Sequence, residues 1–289
     1  MPENAPEKVL ACVDQSSYAD HVADYASWAA IRIGTSLEFL HIIDSTDARP
    51  SGEDHSGAIG FNAEGNLLNK LTTEAEALMQ ARREEGRIFL GSLRERAIRA
   101  GAHEVDVRQR HGELVDTLRE QENGVQLIVL GRRGRSAEAT QRDLGRNVES
   151  VVRTLRKPIL TVTEGFSEPQ KVLLAFDGGA VTRRGVEMIA SSSLFPGLPI
   201  VLLMSGKATA DGPKKLAWAE DVLTKAGFDV STQMIPGDAE AVIATTVIKE
   251  SIDLLVMGAF GHSPLRKFFF GSKTEDLLRS SGIPTLLLR

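Results

Sequence analysis

Between Val256 and Leu278 the chain reads VMGAFGHSPLRKFFFGSKTEDLL, with glycines at Gly258, Gly261 and Gly271 and a hydroxyl at Ser272. These residue types suit the binding of an anion. Glycine lets backbone N–H groups approach a phosphate with no side chain in between. The apolar run ending at Gly258 predicts a buried strand, and GSKTEDLLRSSG, from Gly271, predicts the start of a helix. A helix's first turn offers unpaired N–H donors at the positive end of its dipole. Ser272 can cap that helix and present its hydroxyl to a phosphate oxygen; Thr274 can add a second, and Lys273 lies beside them. The spacing is neither a Walker loop nor the GxGxxG dinucleotide fingerprint.

A carboxylate accompanies the glycines. KVLLAFDGGA, from Lys171, is a strand-forming run that closes on Asp177. In an open parallel sheet, ligands bind beyond the strand C-termini where the strand order reverses. With an order of 3-2-1-4-5, that crevice lies between strands one and four, and Asp177 faces the loop starting at Gly258. Taken alone, Asp177 is equally well explained as a helix cap or turn former.

The elements that position these residues occur twice. KVLACVDQSS, from Lys8, matches KVLLAFDGGA and aligns Asp14 with Asp177. In the same order, Gly112 aligns with Gly237, Gly131 with Gly258, and Pro158 with Pro284, each proline opening a closing apolar strand. Helix-like stretches with apolar residues three and four apart separate these landmarks, among them residues 21–34, 67–101, 183–195 and 214–227. Strands alternating with helices predict a parallel sheet covered on both faces. Two domains are therefore expected, 1–165 and 166–289, joined through the polar connector TEGFSEPQ, each with five strands. The first copy adds STDARPSGEDHSGAIGFNAEG, residues 45–65, read as a long loop: a surface excursion, a lid or a dimer arm.

Composition bounds the rest. A net charge of −5 gives no basic field for nucleic acid, and no apolar run is long enough to span a membrane. Cys12 is the sole cysteine, so no internal disulfide forms, and the first residues lack a signal pattern; a cytoplasmic, soluble protein is expected. The histidines are scattered without metal-ligand spacing, and no metal site is expected. Glu275 and Asp276 fit a helix dipole better than a metal, and no catalytic residue stands out.

The pattern G-x2-G-x9-G-S formed by Gly258, Gly261, Gly271 and Ser272 resembles the nucleotide motif of the universal stress proteins. LGRNVESVVRTLRKPILTV and FGSKTEDLLRSSGIPTLLL are both similar to that family's final helix and strand, and the opening strands ending at Asp14 and Asp177 match as well. The resemblance covers nearly the whole chain as a tandem pair. It implies two Rossmann-like domains of the adenine nucleotide alpha hydrolase type, each a five-stranded parallel sheet of order 3-2-1-4-5. It also implies binding of ATP or AMP, with magnesium as an optional companion, in a stress-response signalling or regulatory module. By the same resemblance Asp177 lies on the adenine side, lined by Ala175, Met257 and Ser205, where the family usually has an apolar residue in place of the serine. Ribose and phosphate contacts map to Gly258, Gly261, Gly271, Ser272 and Thr274, with Lys273 where small apolar residues are usual.

The first copy departs from this pattern. Ten residues, not nine, separate Gly134 from Gly145, and Arg146 replaces the serine. An inserted residue shifts the loop relative to the helix, so Asp14, Gly131, Gly134, Gly145 and Arg146 describe a degenerate site, with the arginines of GRRGR gathered near the expected phosphate position. The closing strands ILTVT and TLLLR are candidate edges for association. In the family the last strand commonly takes part in dimer contacts; a tandem chain can pair these strands internally as a pseudo-dimer, with a homodimer as the alternative and a protein partner unknown. Two other readings stay open: a scaffold that binds no nucleotide, and a weak ATPase.

Overall fold

The computed structural model describes residues 7–43, 63–132, 146–207, 209–258 and 282–289. The first half runs β1 (Lys8–Val13), α1 (Ala19–Ile33), β2 (Leu37–Ile43), α2 (Ala63–Arg99), β3 (Val105–His111), α3 (Leu114–Gln121), β4 (Val125–Gly131), α4 (Arg146–Thr154) and β5 (Ile159–Val162). The second runs β6 (Val172–Ala175), α5 (Ala180–Ser191), β7 (Ile200–Gly206), α6 (Gly212–Lys225), β8 (Val230–Pro236), α7 (Ala239–Lys249), β9 (Leu254–Gly258) and β10 (Thr285–Leu288). The central strands are apolar on both faces because both faces are covered: Val9, Val129, Leu174 and Val256 are fully buried on one side, and Leu10, Ile128, Leu173 and Leu255 on the other. Helix α6 stops where Gly227 takes a φ of +90°, a conformation that costs a side-chain-bearing residue more.

Two helix limits differ from expectation. Helix α2 already begins at Ala63, so the last residues of the expected loop are helical; a glycine costs a helix about 1 kcal/mol, which the run of Leu, Ala, Glu, Gln and Arg that follows offsets. Helix α5 ends at Ser191 rather than Phe195, because Ser192 turns extended at ψ 134°.

All strands among the described residues join one ten-stranded sheet in the order β3-β2-β1-β4-β5-β10-β9-β6-β7-β8. Each half therefore has the order 3-2-1-4-5, parallel throughout. The two closing strands pair with each other inside the chain, antiparallel, with Leu286 opposite Leu160. One face of the sheet is covered by α1, α2, α5 and α6 and the other by α3, α4 and α7, and each core layer runs through both halves.

Polar contacts reinforce the seam from both sides. Arg32 Nε donates to the Leu194 carbonyl at 2.6 Å, and Tyr25 meets Phe166 edge to face at 4.8 Å. Arg289, at the end of β10, donates to the carbonyls of Arg153 and Leu155 at the C-terminus of α4, where a cation also complements the helix dipole. Among the described residues no helix is long and apolar enough to cross a membrane.

Candidate functional site

Strands β6 and β9 are parallel neighbours, with Leu174 opposite Val256. Beyond β6 lies β7, and beyond β9 lies β10, so the strand order reverses between these two. The crevice expected of an open α/β sheet thus falls between the ends of β6 and β9. Ala175 and Met257 share one core layer, on the α7 side of the sheet. Ser205 falls on that face by strand alternation, two residues after Leu203, which is paired with Ala175.

After β6 the chain turns through Asp177, Gly178 and Gly179 into α5. Asp177 Oδ1 accepts the Gly179 N–H at 2.8 Å and the Thr182 hydroxyl at 2.6 Å. Gly178 sits at φ +74°, with the Lys215 side chain packed where a Cβ would be, and its carbonyl accepts from Arg183 Nε at 3.2 Å. Arg183 in turn lies over the Trp218 ring at 4.8 Å, and Trp218 stacks on Phe176. Two cationic side chains therefore flank the carboxylate turn.

Gly258 closes the other side. A Cβ there would stand 3.2 Å from Val181 Cγ1 and 3.4 Å from Thr182 Cγ2. The missing side chain is what lets the first turn of α5 pack over the end of β9. Thr182 thereby links Asp177 to Gly258, and it is a site residue that motif spacing did not single out. A hydroxyl five residues after an aspartate, across a glycine turn into a helix, is the signal that could have found it.

Ser205 also lines a cavity of about 10 Å³, room for a single water, with Met204, Gly206, Thr209, Gly212 and Met234 among its other walls. Asp177, Ala175, Met257 and Gly258 do not line it. The remaining motif residues Gly261, Gly271, Ser272, Lys273 and Thr274 lie outside the described residues.

In the first half, Asp14 Oδ1 accepts the Ser16 N–H at 3.3 Å, the counterpart of the Gly179 contact. Five residues on, where the second half has Thr182, stands Ala19. Where Ser205 lines the second half, the first has Ile42. Gly131 ends β4 as Gly258 ends β9. Gly134 and Gly145 fall outside the described residues, as does the side chain of Arg146, which opens α4.

One arginine of GRRGR is not where a phosphate ligand was expected. Arg132 is 4% exposed and reaches across the seam, donating from Nη2 to Thr285 Oγ1 at 2.8 Å and to the Ile283 carbonyl. Burial pushes its pKa down to about 10, so it still carries its charge at neutral pH. The guanidinium holds the second half's closing strand instead of facing a ligand. Cys12 lies half-buried in β1 against the core, and burial, aided by the Glu38 charge, pushes its thiol up to about 12, which keeps it protonated at neutral pH. No group of three or more His, Cys, Asp or Glu among the described residues is arranged to hold a metal.

The sequence profile described as the universal stress protein family matches residues 6–163 and again 169–289. The universal stress protein Slr1230 of Synechocystis sp. is 33% identical over 287 residues, covering 98% of this chain and 100% of that relative. A crystal structure of a universal stress protein from Archaeoglobus fulgidus superposes with a TM-score of 0.68 at 17% identity, covering 97% of this chain and 95% of the other. A putative universal stress protein from Pseudomonas aeruginosa gives 0.58 at 17% identity, over 99% of this chain and 94% of its own.

Proposed function

Because the chain belongs to the universal stress protein family, we propose that its second half binds an adenine nucleotide, ATP or AMP, and that the protein acts as a cytoplasmic stress-response regulatory module. Asp177, Ala175, Met257 and Ser205 form the base side of this site; Gly258, Gly261, Gly271, Ser272, Lys273 and Thr274 form the ribose and phosphate side. The reading rests chiefly on one observation: Thr182 ties the Asp177 turn to Gly258 at the point where the strand order reverses. That is where this architecture takes its ligands. Main-chain donors on a glycine loop followed by a capped helix suit a polyphosphate. Arg183, beside the turn, adds positive potential, while Lys215 packs its stem on Gly178 and pairs its ammonium with Asp211 at 2.7 Å. Magnesium, where it accompanies ATP, would be carried largely by the phosphates. The first half is a degenerate copy: Ala19 replaces Thr182 and Arg132 is committed to the seam.

One observation favours a second reading, an interaction scaffold that binds no nucleotide. Asp177 Oδ1 is already engaged by Gly179 and Thr182, as in a purely structural turn. Calorimetric titration of the full chain with ATP and with AMP separates the two. The expected result is one nucleotide per chain, abolished by Gly271→Val and unaffected by Asp14→Ala. No heat and no retained nucleotide at about millimolar ligand, far weaker than the micromolar range of useful binding, would leave the scaffold reading.

A further inference from the structure

Helix α2 is far longer than the sheet it covers. Its C-terminal part packs normally, with Leu90, Leu93 and Ala97 at 2%, 1% and 0% exposed. Gly86, whose missing Cβ accommodates Gln109 and His41, marks the last close approach to the sheet, and one turn earlier only Arg82 still buries its Nη1 against the chain. From Ala63 to Glu85 the helix continues for about 35 Å at 1.5 Å per residue. None of the side chains described between Thr72 and Glu85 is buried. Leu78 and Met79 are 37% and 41% exposed there. A helix in a folded protein gains most of its stability from packing an apolar face, and this projection of about six turns buries none of its described side chains.

We propose that a second copy of this chain packs antiparallel along the projecting part of α2, about a twofold axis near Met79. The charge pattern selects both the occupant and the direction. Glu76 lies three residues before Met79 and Arg83 four residues after it, and both are exposed. A twofold axis near Met79 sets Glu76 of each copy beside Arg83 of the other and gathers Leu78 and Met79 of both at the centre. The surface is then self-complementary, as an isologous contact must be. A parallel pairing would instead oppose Glu76 to Glu76 and Arg83 to Arg83, which like charges disfavour. A pair of single helices falls short of the 1,200–2,000 Å² of a standard stable interface, so the dimer is weak, with a Kd on the order of micromolar. This inference is independent of nucleotide binding.

Sedimentation of the full chain across a concentration series should show a shift from 31.3 kDa towards twice that mass. Leu78→Glu with Met79→Glu should weaken association at least about tenfold, the effect of two buried charges. Glu76→Lys alone, or Arg83→Glu alone, should weaken it, and the two together should restore it. Direction is read by oxidation with diamide. Met79→Cys should form a disulfide dimer, because the axis brings the two copies of that position together. Ile88→Cys should not, since antiparallel pairing sets its two copies about 27 Å apart. The parent chain, whose sole thiol is the half-buried Cys12, serves as the control for background oxidation. A chain that stays at 31.3 kDa up to about 200 μM, far above a micromolar Kd, overturns the proposal. So does a dimer insensitive to Leu78→Glu with Met79→Glu, or one that cross-links through Ile88→Cys.

Discussion

Thr182 faces Gly258 with its methyl group, 3.4 Å from where a Cβ would be, while its hydroxyl donates to Asp177 Oδ1 at 2.6 Å. One side chain therefore reads both strand ends of the switch point. Its two functional groups can be removed separately, which makes the arrangement testable.

Thr182→Val keeps the shape and deletes the donor. A partly buried carboxylate then loses a charge-assisted hydrogen bond, at a cost of about 1–3 kcal/mol. At roughly 2–4 °C per kcal/mol, thermal unfolding should move down by several degrees, and ATP affinity should fall with it as the Asp177 turn loosens. Thr182→Ser keeps the hydroxyl and should lose less on both readouts. Equal melting temperatures for Thr182→Val and the parent protein would show that the contact is idle.

Gly258→Ala tests the close approach. Its Cβ would meet Val181 Cγ1 at 3.2 Å, tighter than ordinary van der Waals contact, so the Val181 side chain must give by a few tenths of an ångström. Overpacking of this kind costs about 1–3 kcal/mol. Val181→Ala removes the nearer obstacle, and the double variant should recover part of the loss in a urea melt. Strict additivity of the two single effects would contradict this account, since residues in contact couple.

Much of this was legible from residues because the chain states its plan twice. Aligned aspartates, glycines and prolines marked two copies of one alternating strand–helix unit, and the order 3-2-1-4-5 within each came with the resemblance to the universal stress proteins. Thr182 was not legible in that way. Its importance depends on how tightly the Asp177–Gly179 turn closes, and a threonine in a first helical turn is otherwise unremarked. Arg132 misled for a different reason: beside a glycine, an arginine that reaches a phosphate and one that reaches a neighbouring carbonyl look alike. Only the internal pairing of β5 with β10 brings Ile283 and Thr285 within its span. The length of α2 was hidden by Gly65, which reads as a loop residue until the helix formers after it are weighed.

Acid should act on the second half through Glu250. Its carboxylate receives Lys171 Nζ at 3.0 Å and Gln233 Nε2 at 3.1 Å, and these bonds, that from Lys171 first, hold its pKa below 4.5. A depressed folded-state pKa means that the unfolded chain binds the proton more readily as pH falls. The contribution is therefore fully present above about 4.5, the unfolded value, and is lost as pH drops through the lower folded value. Glu250→Gln should lower the urea midpoint at pH 7, by an amount that shrinks progressively as pH falls below about 4.5. A deficit that persists in acid would mean that the side chain acts through packing and not through its charge.

Arg132 and Thr285 provide the test of the seam. The guanidinium is buried and donates to the Thr285 hydroxyl at 2.8 Å. Thr285→Val removes an acceptor from a buried cation and should cost about 1–3 kcal/mol. Arg132→Met removes the charge together with its desolvation penalty, and exchanges of that type are often neutral or better. Combining the two should therefore be less harmful than Thr285→Val alone, a coupling of about 0.5–3 kcal/mol in a double-mutant cycle. The same variants separate a seam residue from a ligand. With Arg132 committed to the closing strand, Arg132→Met should leave the nucleotide count at one per chain. A change in that count, with thermal stability preserved, would return this arginine to a binding role in the first half.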